Sequence, residues 1–288
     1  MVGNMKCYDL RIAGISFRLE CKKEITLNER LAPFVSDRTD TPDFVYRIET
    51  GALPMEKEEF YRCPDLQIYY ETGRYYRYQK RTLYKEEGWI CTFPVDEGRT
   101  YKILCSKSFF ESDVVMKNLN LSFCMALEEN LLKKDAFYLH ASFVAFQEAG
   151  ILFTAPSGTG KSTQAELWKK YFHAEIVNGD RVIVRKEAED WYAYGSPYAG
   201  SSRIYKNKRM KIKAIIVLEQ SAENLLSELS GAPAFSALYR ESLMNTWNTD
   251  YMNAISGLIF EAASEIPMYC LKCRPDYEAA KSVKEALF

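Results

Sequence analysis

From residue 6 to about residue 110, apolar and polar positions alternate in short runs broken by turn residues. A period of two is the signature of strands with one face buried. It predicts strands at residues 7–14 and 15–20, across a glycine turn, and at 44–48, 66–71, 75–79, 88–93 and 101–104. The period then lengthens. Val115, Leu119, Phe123, Leu127 and Leu131 recur every four residues, and Ser112 or Asp113 can cap the segment, so a helix is predicted over residues 112–134. Lys133 and Lys134 suit its C-terminal end.

After this helix the runs become more apolar. Residues 137–146 read as a mostly apolar strand, residues 147–150 as a tight turn, and residues 150–154 as the antiparallel partner. A helix is predicted over residues 164–172, short strands around residues 174–178 and 182–184, and a buried strand over 213–219. Residues 222–229 read as a loop or short helix, 232–247 and 252–263 as helices and 266–273 as a last strand. A closing helix follows Pro275-Asp276. Phe235, Leu238, Leu243, Ile255 and Phe260 are its neighbours' predicted core positions, and Tyr277, Val283 and Leu287 are its own. The organisation is therefore a strand-rich N-terminal domain over residues 1–134, ending in a connecting helix, and an α/β domain over residues 135–288.

The chemistry concentrates where the apolar run 150–154 meets Ala155-Pro156-Ser157-Gly158-Thr159-Gly160-Lys161-Ser162-Thr163. Strand, glycine loop, Lys-Ser and helix is the layout of a P-loop. Gly158 and Gly160 allow a tight turn that presents bare N–H groups to phosphate oxygens, Lys161 adds a mobile ammonium and Ser162 can ligate Mg²⁺. Ala155 stands at the first glycine of the usual pattern. Pro156 through Thr163 are thus the expected nucleotide-binding residues.

Two carboxylates compete for the metal. Asp180, in the turn Asn178-Gly179-Asp180, could face Mg²⁺ beside Ser162, although such a turn also suits any hairpin. Glu219, at the end of the buried strand, stands where a common P-loop enzyme carries its second acidic motif. The hairpin before the loop departs from the usual βαβ order and points to a less common P-loop architecture. His140 lies on the strand beside the loop, and His173 past the helix reads as structural. The polar stretch 196–209 holds Arg203 and Lys206, expected substrate-binding clamps on phosphates or an anionic acceptor.

Composition narrows the classes. The net charge of -1 gives no support for nucleic acid, so the tyrosines and arginines of residues 61–84 read as a half-exposed sheet face. No apolar run is long enough to span a bilayer and the N-terminus does not resemble a signal peptide, which makes the cytoplasm the expected location. Of the 8 cysteines, Cys7, Cys21, Cys63, Cys91, Cys105 and Cys124 lie among apolar or aromatic neighbours as buried thiols do. Cys270 and Cys273 form a lone C-x-x-C within the last strand, without the further ligands zinc requires.

Leu139-His140, the loop from Ser157 to Ser162, and Asn178-Gly179-Asp180-Arg181 occur in the order found in the catalytic domain of HPr kinase/phosphorylase, which the chain resembles over roughly residues 135–275. The resemblance implies a phosphoenolpyruvate carboxykinase-like P-loop kinase domain with a mixed sheet. It implies ATP and Mg²⁺ as cofactors, Lys161, His140 and Asp180 as catalytic residues, and Ser162 and Asp180 as metal ligands. The implied activity is phosphoryl transfer to a hydroxyl of a peptide, a protein serine or a small molecule, with self-association. The family carries two adjacent aspartates at the third landmark, the first acting on the accepting hydroxyl. Gly179 replaces that residue here. A nucleotide-binding accessory or regulatory protein with little transferase activity is the alternative.

Overall fold

The computed structural model describes residues 5–53, 58–64, 66–83, 86–111 and 125–288. They form two compact units, residues 1–130 and 131–288.

The first unit is built on a mixed sheet. Its strands are β1 (Lys6–Ile12), β2 (Ile15–Cys21), β3 (Phe44–Thr50), β4 (Glu59–Cys63), β5 (Leu66–Glu71), β6 (Arg74–Leu83), β7 (Glu86–Pro94) and β8 (Thr100–Cys105). They lie in the order β1-β2-β3-β8-β7-β6-β5-β4. β3 runs parallel to both β2 and β8, and the remaining pairs are antiparallel. Alternation made most of these strands legible. β4 was not predicted, because its residues are mostly exposed and only pairing with β5 orders them.

Buried charges in this unit are paired, as Arg18 is with Asp9. The Arg77 guanidinium is 4% exposed and lies 2.5 Å from both Glu128 and Glu129. Asn130 donates to Tyr46 Oη and accepts from Tyr101 Oη. Burial is affordable only because the charge is paired and the polar atoms are bonded.

The predicted 112–134 helix does not run as one piece. Residues 112–124 lie outside the described residues, and Met125 and Ala126 form a turn with Ala126 at φ 49°; among the described residues α1 (Lys107–Glu111) precedes that stretch and α2 (Leu127–Leu132) follows the turn. A left-handed alanine cannot continue an α-helix.

The second unit holds β9 (Ala136–Phe146), β10 (Ala149–Thr154), β11 (Glu175–Asn178), β12 (Arg181–Glu187), β13 (Asp190–Tyr194), β14 (Arg209–Gln220), β15 (Leu225–Glu228) and β16 (Met268–Cys273). Its order is β10-β9-β12-β13-β14-β16-β15, and β14 also pairs in parallel with β10, so five strands close into a ring. The long strands β9 and β14 make this possible by pairing with different neighbours along their lengths. β9 and β10 form the expected antiparallel hairpin. Gln147 and Glu148 both have positive φ, the backbone that a two-residue turn of the right twist needs.

Four helices cover the sheet: α3 (Lys161–Phe172), α4 (Gly231–Glu241), α5 (Thr249–Glu265) and α6 (Tyr277–Leu287). α4 and α5 bury Leu238, Ile255 and Ile259 against Phe137, Leu139 and Phe143. α3 and α6 bury Trp168, Val283 and Leu287 against Val144, Ile151 and Phe153.

Several expectations change here. Residues 225–228 form a strand, because they pair with β16. The helix expected to run to Trp247 stops at Glu241, where Ser242 turns extended and pairs with Leu139, and Leu243 N donates to Tyr138 O. Phe260 is 64% exposed and Tyr277 41% exposed, on the outer sides of their helices. Cys7 is exposed, and the described cysteines are free thiols.

Candidate functional site

The site is assembled at one point of β9. Arg181, the first residue of β12, pairs with His140 on one side of that strand. Thr154, the last residue of β10, pairs with Ala141 on the other, and its hydroxyl donates to His140 O over 3.0 Å. The Asn178-Gly179-Asp180 bend and the glycine loop are therefore held to adjacent residues of one strand. One face of β9 (Phe137, Leu139, Ala141, Phe143) enters the core. Alternation turns His140 the other way.

After Thr154 the loop reverses through Gly158 at φ 82° and Gly160 at φ 121°. Nothing lies within 4 Å of a Cβ built at either position, so the backbone angle alone demands glycine. Gly160 is the cap of α3, which starts at Lys161, and the first-turn N–H groups of this helix face the loop's concavity. The Lys161 ammonium folds back onto Ala155 O at 2.7 Å and Pro156 O at 3.1 Å. Burial lowers its pKa, opposed by the nearby charges of Glu241 and Asp180.

Asn178 fixes the bend. It is fully buried, and its Oδ1 accepts from Asp180 N at 2.9 Å and Arg181 N at 3.1 Å. Its Nδ2 donates to Ser196 O at 3.0 Å and Tyr198 O at 2.8 Å. The bend is not a hairpin: β11 and β12 both pair antiparallel with β9, so the chain is displaced and continues in the same direction. Asn178→Ala is expected to cost about 1–3 kcal/mol by orphaning these buried groups. Chemical denaturation measures it, and an unchanged midpoint would contradict this role for the side chain.

The segment 199–203 packs directly on the bend. A Cβ at Gly179 would lie 2.1 Å from Ser202 Oγ, and one at Gly200 would lie 2.8 Å from Asp180 Cγ. Position 179 therefore has no room for an aspartate side chain. Gly179→Asp is expected to lower the melting temperature, whereas adding Ser202→Gly should recover part of the lost stability. A Gly179→Asp protein as stable as the wild type would refute the packing argument.

His140 stands between two carboxylates. Its Nδ1 is 3.2 Å from Glu241 Oε2 and its Nε2 is 3.5 Å from Asp180 Oδ1. Hydrogen bonding from His140, with help from Arg181 and Lys161 and against burial, lowers the pKa of Asp180. A lowered carboxylate stabilises the fold above its unfolded value, near 3.9, and that contribution is lost as pH falls through the folded value. Asp180 is accordingly ionised at neutral pH. Glu241, 9% exposed, was not anticipated from the sequence. Only the end of α4 and the Leu139–Ser242 bridge bring it to His140.

His140, Ser157, Gly158, Gly160, Lys161, Ser162, Thr163, Gly179, Asp180 and Ser201 line one cavity of about 260 Å³. Pro156 lies in the loop backbone and Thr159 lines an adjoining cavity. Lys206 is elsewhere: its ammonium pairs with Glu175 at 2.7 Å, beside Lys208. Arg203 is exposed with φ 53° at the end of the short 3-10 helix Gly200–Ser202. Neither lines the cavity. Glu219 is exposed and pairs with Lys272 at 3.7 Å. His173 ends α3 in the left-handed conformation.

No protein-family model matches the sequence, and no curated protein does. Among solved structures, the Hpr(Ser) kinase/phosphatase from Coxiella burnetii is similar over 52% of this chain and 94% of its own, with 10% sequence identity and a TM-score of 0.32. Among the described residues, no helix is long and apolar enough to cross a membrane.

Proposed function

We propose that the second unit binds a magnesium–nucleoside triphosphate, ATP, and transfers its terminal phosphoryl group to a hydroxyl of a peptide, protein or small molecule. The observation that carries this reading is the convergence of His140, Lys161, Ser162 and Asp180 with the glycine loop in one cavity.

The loop amides and the start of α3 would hold the phosphates, and Lys161 would exchange its loop carbonyls for phosphate oxygens. The Ser162 hydroxyl and the ionised Asp180 carboxylate fit magnesium, which takes one or two carboxylates together with substrate phosphates and water. When bound, the cation supplies charge neutralisation at the transferring group.

His140 then takes the role for which position 179 has no side chain. Once Asp180 holds the cation in place of its hydrogen bond from Nε2, a proton on Nδ1 donated to Glu241 would leave the Nε2 lone pair to accept from the acceptor hydroxyl. The hydroxyl oxygen forms the new bond to the γ-phosphorus, its proton passes to Nε2, and the bond to the ADP oxygen breaks. The imidazolium formed lies between Glu241 and Asp180.

The test is magnesium-dependent ATP consumption with and without serine, serine-containing peptides or cell extract. Acceptor-stimulated turnover is expected. Phosphate release without any acceptor would indicate a hydrolase. Tight ATP binding without turnover under every condition would replace this reading with that of a regulatory nucleotide-binding protein.

A further inference from the structure

A second cavity, of about 350 Å³, lies against the other side of the glycine loop and shares Gly158, Gly160 and Thr163 with the first. That volume is in the range of small-molecule sites. Its walls include the apolar side chains of Leu218 and Pro275, with Gln220 reaching from the end of β14 to donate to Gly158 O over 3.4 Å.

One wall residue is an anomaly. Gln164 on the first turn of α3 is 2% exposed, and its Nε2 donates to Cys273 Sγ over 3.4 Å. Its Oε1 is buried without a hydrogen-bond partner. Most buried side-chain polar atoms are bonded, and an orphan acceptor costs free energy unless something else supplies the donor. Here the residue that carries the orphan lines a cavity.

We infer that this cavity receives the nucleoside of the bound triphosphate and that Gln164 Oε1 accepts a hydrogen bond from the 6-amino group of adenine, making the protein adenine-selective. The inference rests on the nucleotide-binding reading above. The shared loop residues make the two cavities neighbours on one phosphate-binding element. A nucleotide whose terminal phosphate lies beside Lys161 and His140 then directs its nucleoside into the second cavity. Leu218 and Pro275 supply apolar contact for a base. Guanine and hypoxanthine carry a carbonyl oxygen at position 6, which would set one acceptor against another and leave both unsatisfied.

The experiment compares binding of Mg·ATP, Mg·GTP, Mg·ITP and Mg·tripolyphosphate to the full chain and to Gln164→Leu, by calorimetry. The wild type is expected to bind ATP about tenfold more tightly than ITP or GTP. In Gln164→Leu the ratio should fall toward one while tripolyphosphate affinity is unchanged. Equal binding of ATP and ITP by the wild type, or a preference that survives Gln164→Leu, would overturn the base assignment while leaving phosphate binding standing. Failure of the wild type to bind tripolyphosphate or any nucleotide would overturn both readings.

Discussion

His140→Asn is expected to lower acceptor-dependent ATP turnover by about 10²- to 10⁴-fold, the contribution of a positioned general base. The loss should fall on kcat, with nucleotide affinity little changed, because His140 faces the carboxylates of Asp180 and Glu241. Asparagine keeps a polar side chain of similar reach, so the cavity is not collapsed. Glu241→Gln should cause a smaller loss of the same kind, since the amide keeps the shape of the side chain and removes the charge facing Nδ1. The double variant should be no worse than His140→Asn alone, because the two side chains act as one unit. Steady-state kinetics of the three proteins decides this. Wild-type kcat in His140→Asn would remove the base from the scheme, and strict additivity would separate Glu241 from it.

Lys161→Ala is expected to abolish most nucleotide binding and to reduce turnover by about 10²- to 10³-fold, the usual cost of deleting one preorganised charge. The unliganded protein makes the complementary prediction. The buried ammonium has a lowered pKa, chiefly because burial penalises its charge. In the interval between its folded and unfolded values, the folded state binds fewer protons, so stability gains with rising pH. Removing this group should therefore leave the ligand-free melting temperature unchanged or raise it. The stabilisation by Mg·ATP, about 2.7 kcal/mol at a hundred times Kd for the wild type, should vanish. Thermal denaturation with and without nucleotide measures both effects. A ligand-induced shift equal to that of the wild type would show that Lys161 does not contact phosphate.

Much of this chain is governed by short-range rules and is legible from residues alone. Alternation located most strands of the first unit, the 147–150 turn its hairpin, and the glycine loop its helix. These elements depend on local backbone angles, spacing and capping, which neighbouring residues settle among themselves. His140, Lys161, Ser162 and Asp180 are all within reach of such reasoning because they lie on or beside those elements.

What the sequence could not supply involves contacts between distant segments. β15 exists because β16 offers it an edge, and α4 ends at Glu241 because the next residues bond to β9. That ending places Glu241 against His140 across a separation of 101 residues. The exclusion of a side chain at position 179 depends on Ser202, and the departure of Lys206 from the cavity on Glu175. Residue type and spacing declared the chemistry that the glycine loop suits. Tertiary packing decided which carboxylates face it, since pairing energies between remote strands and helices have no local signature along the chain.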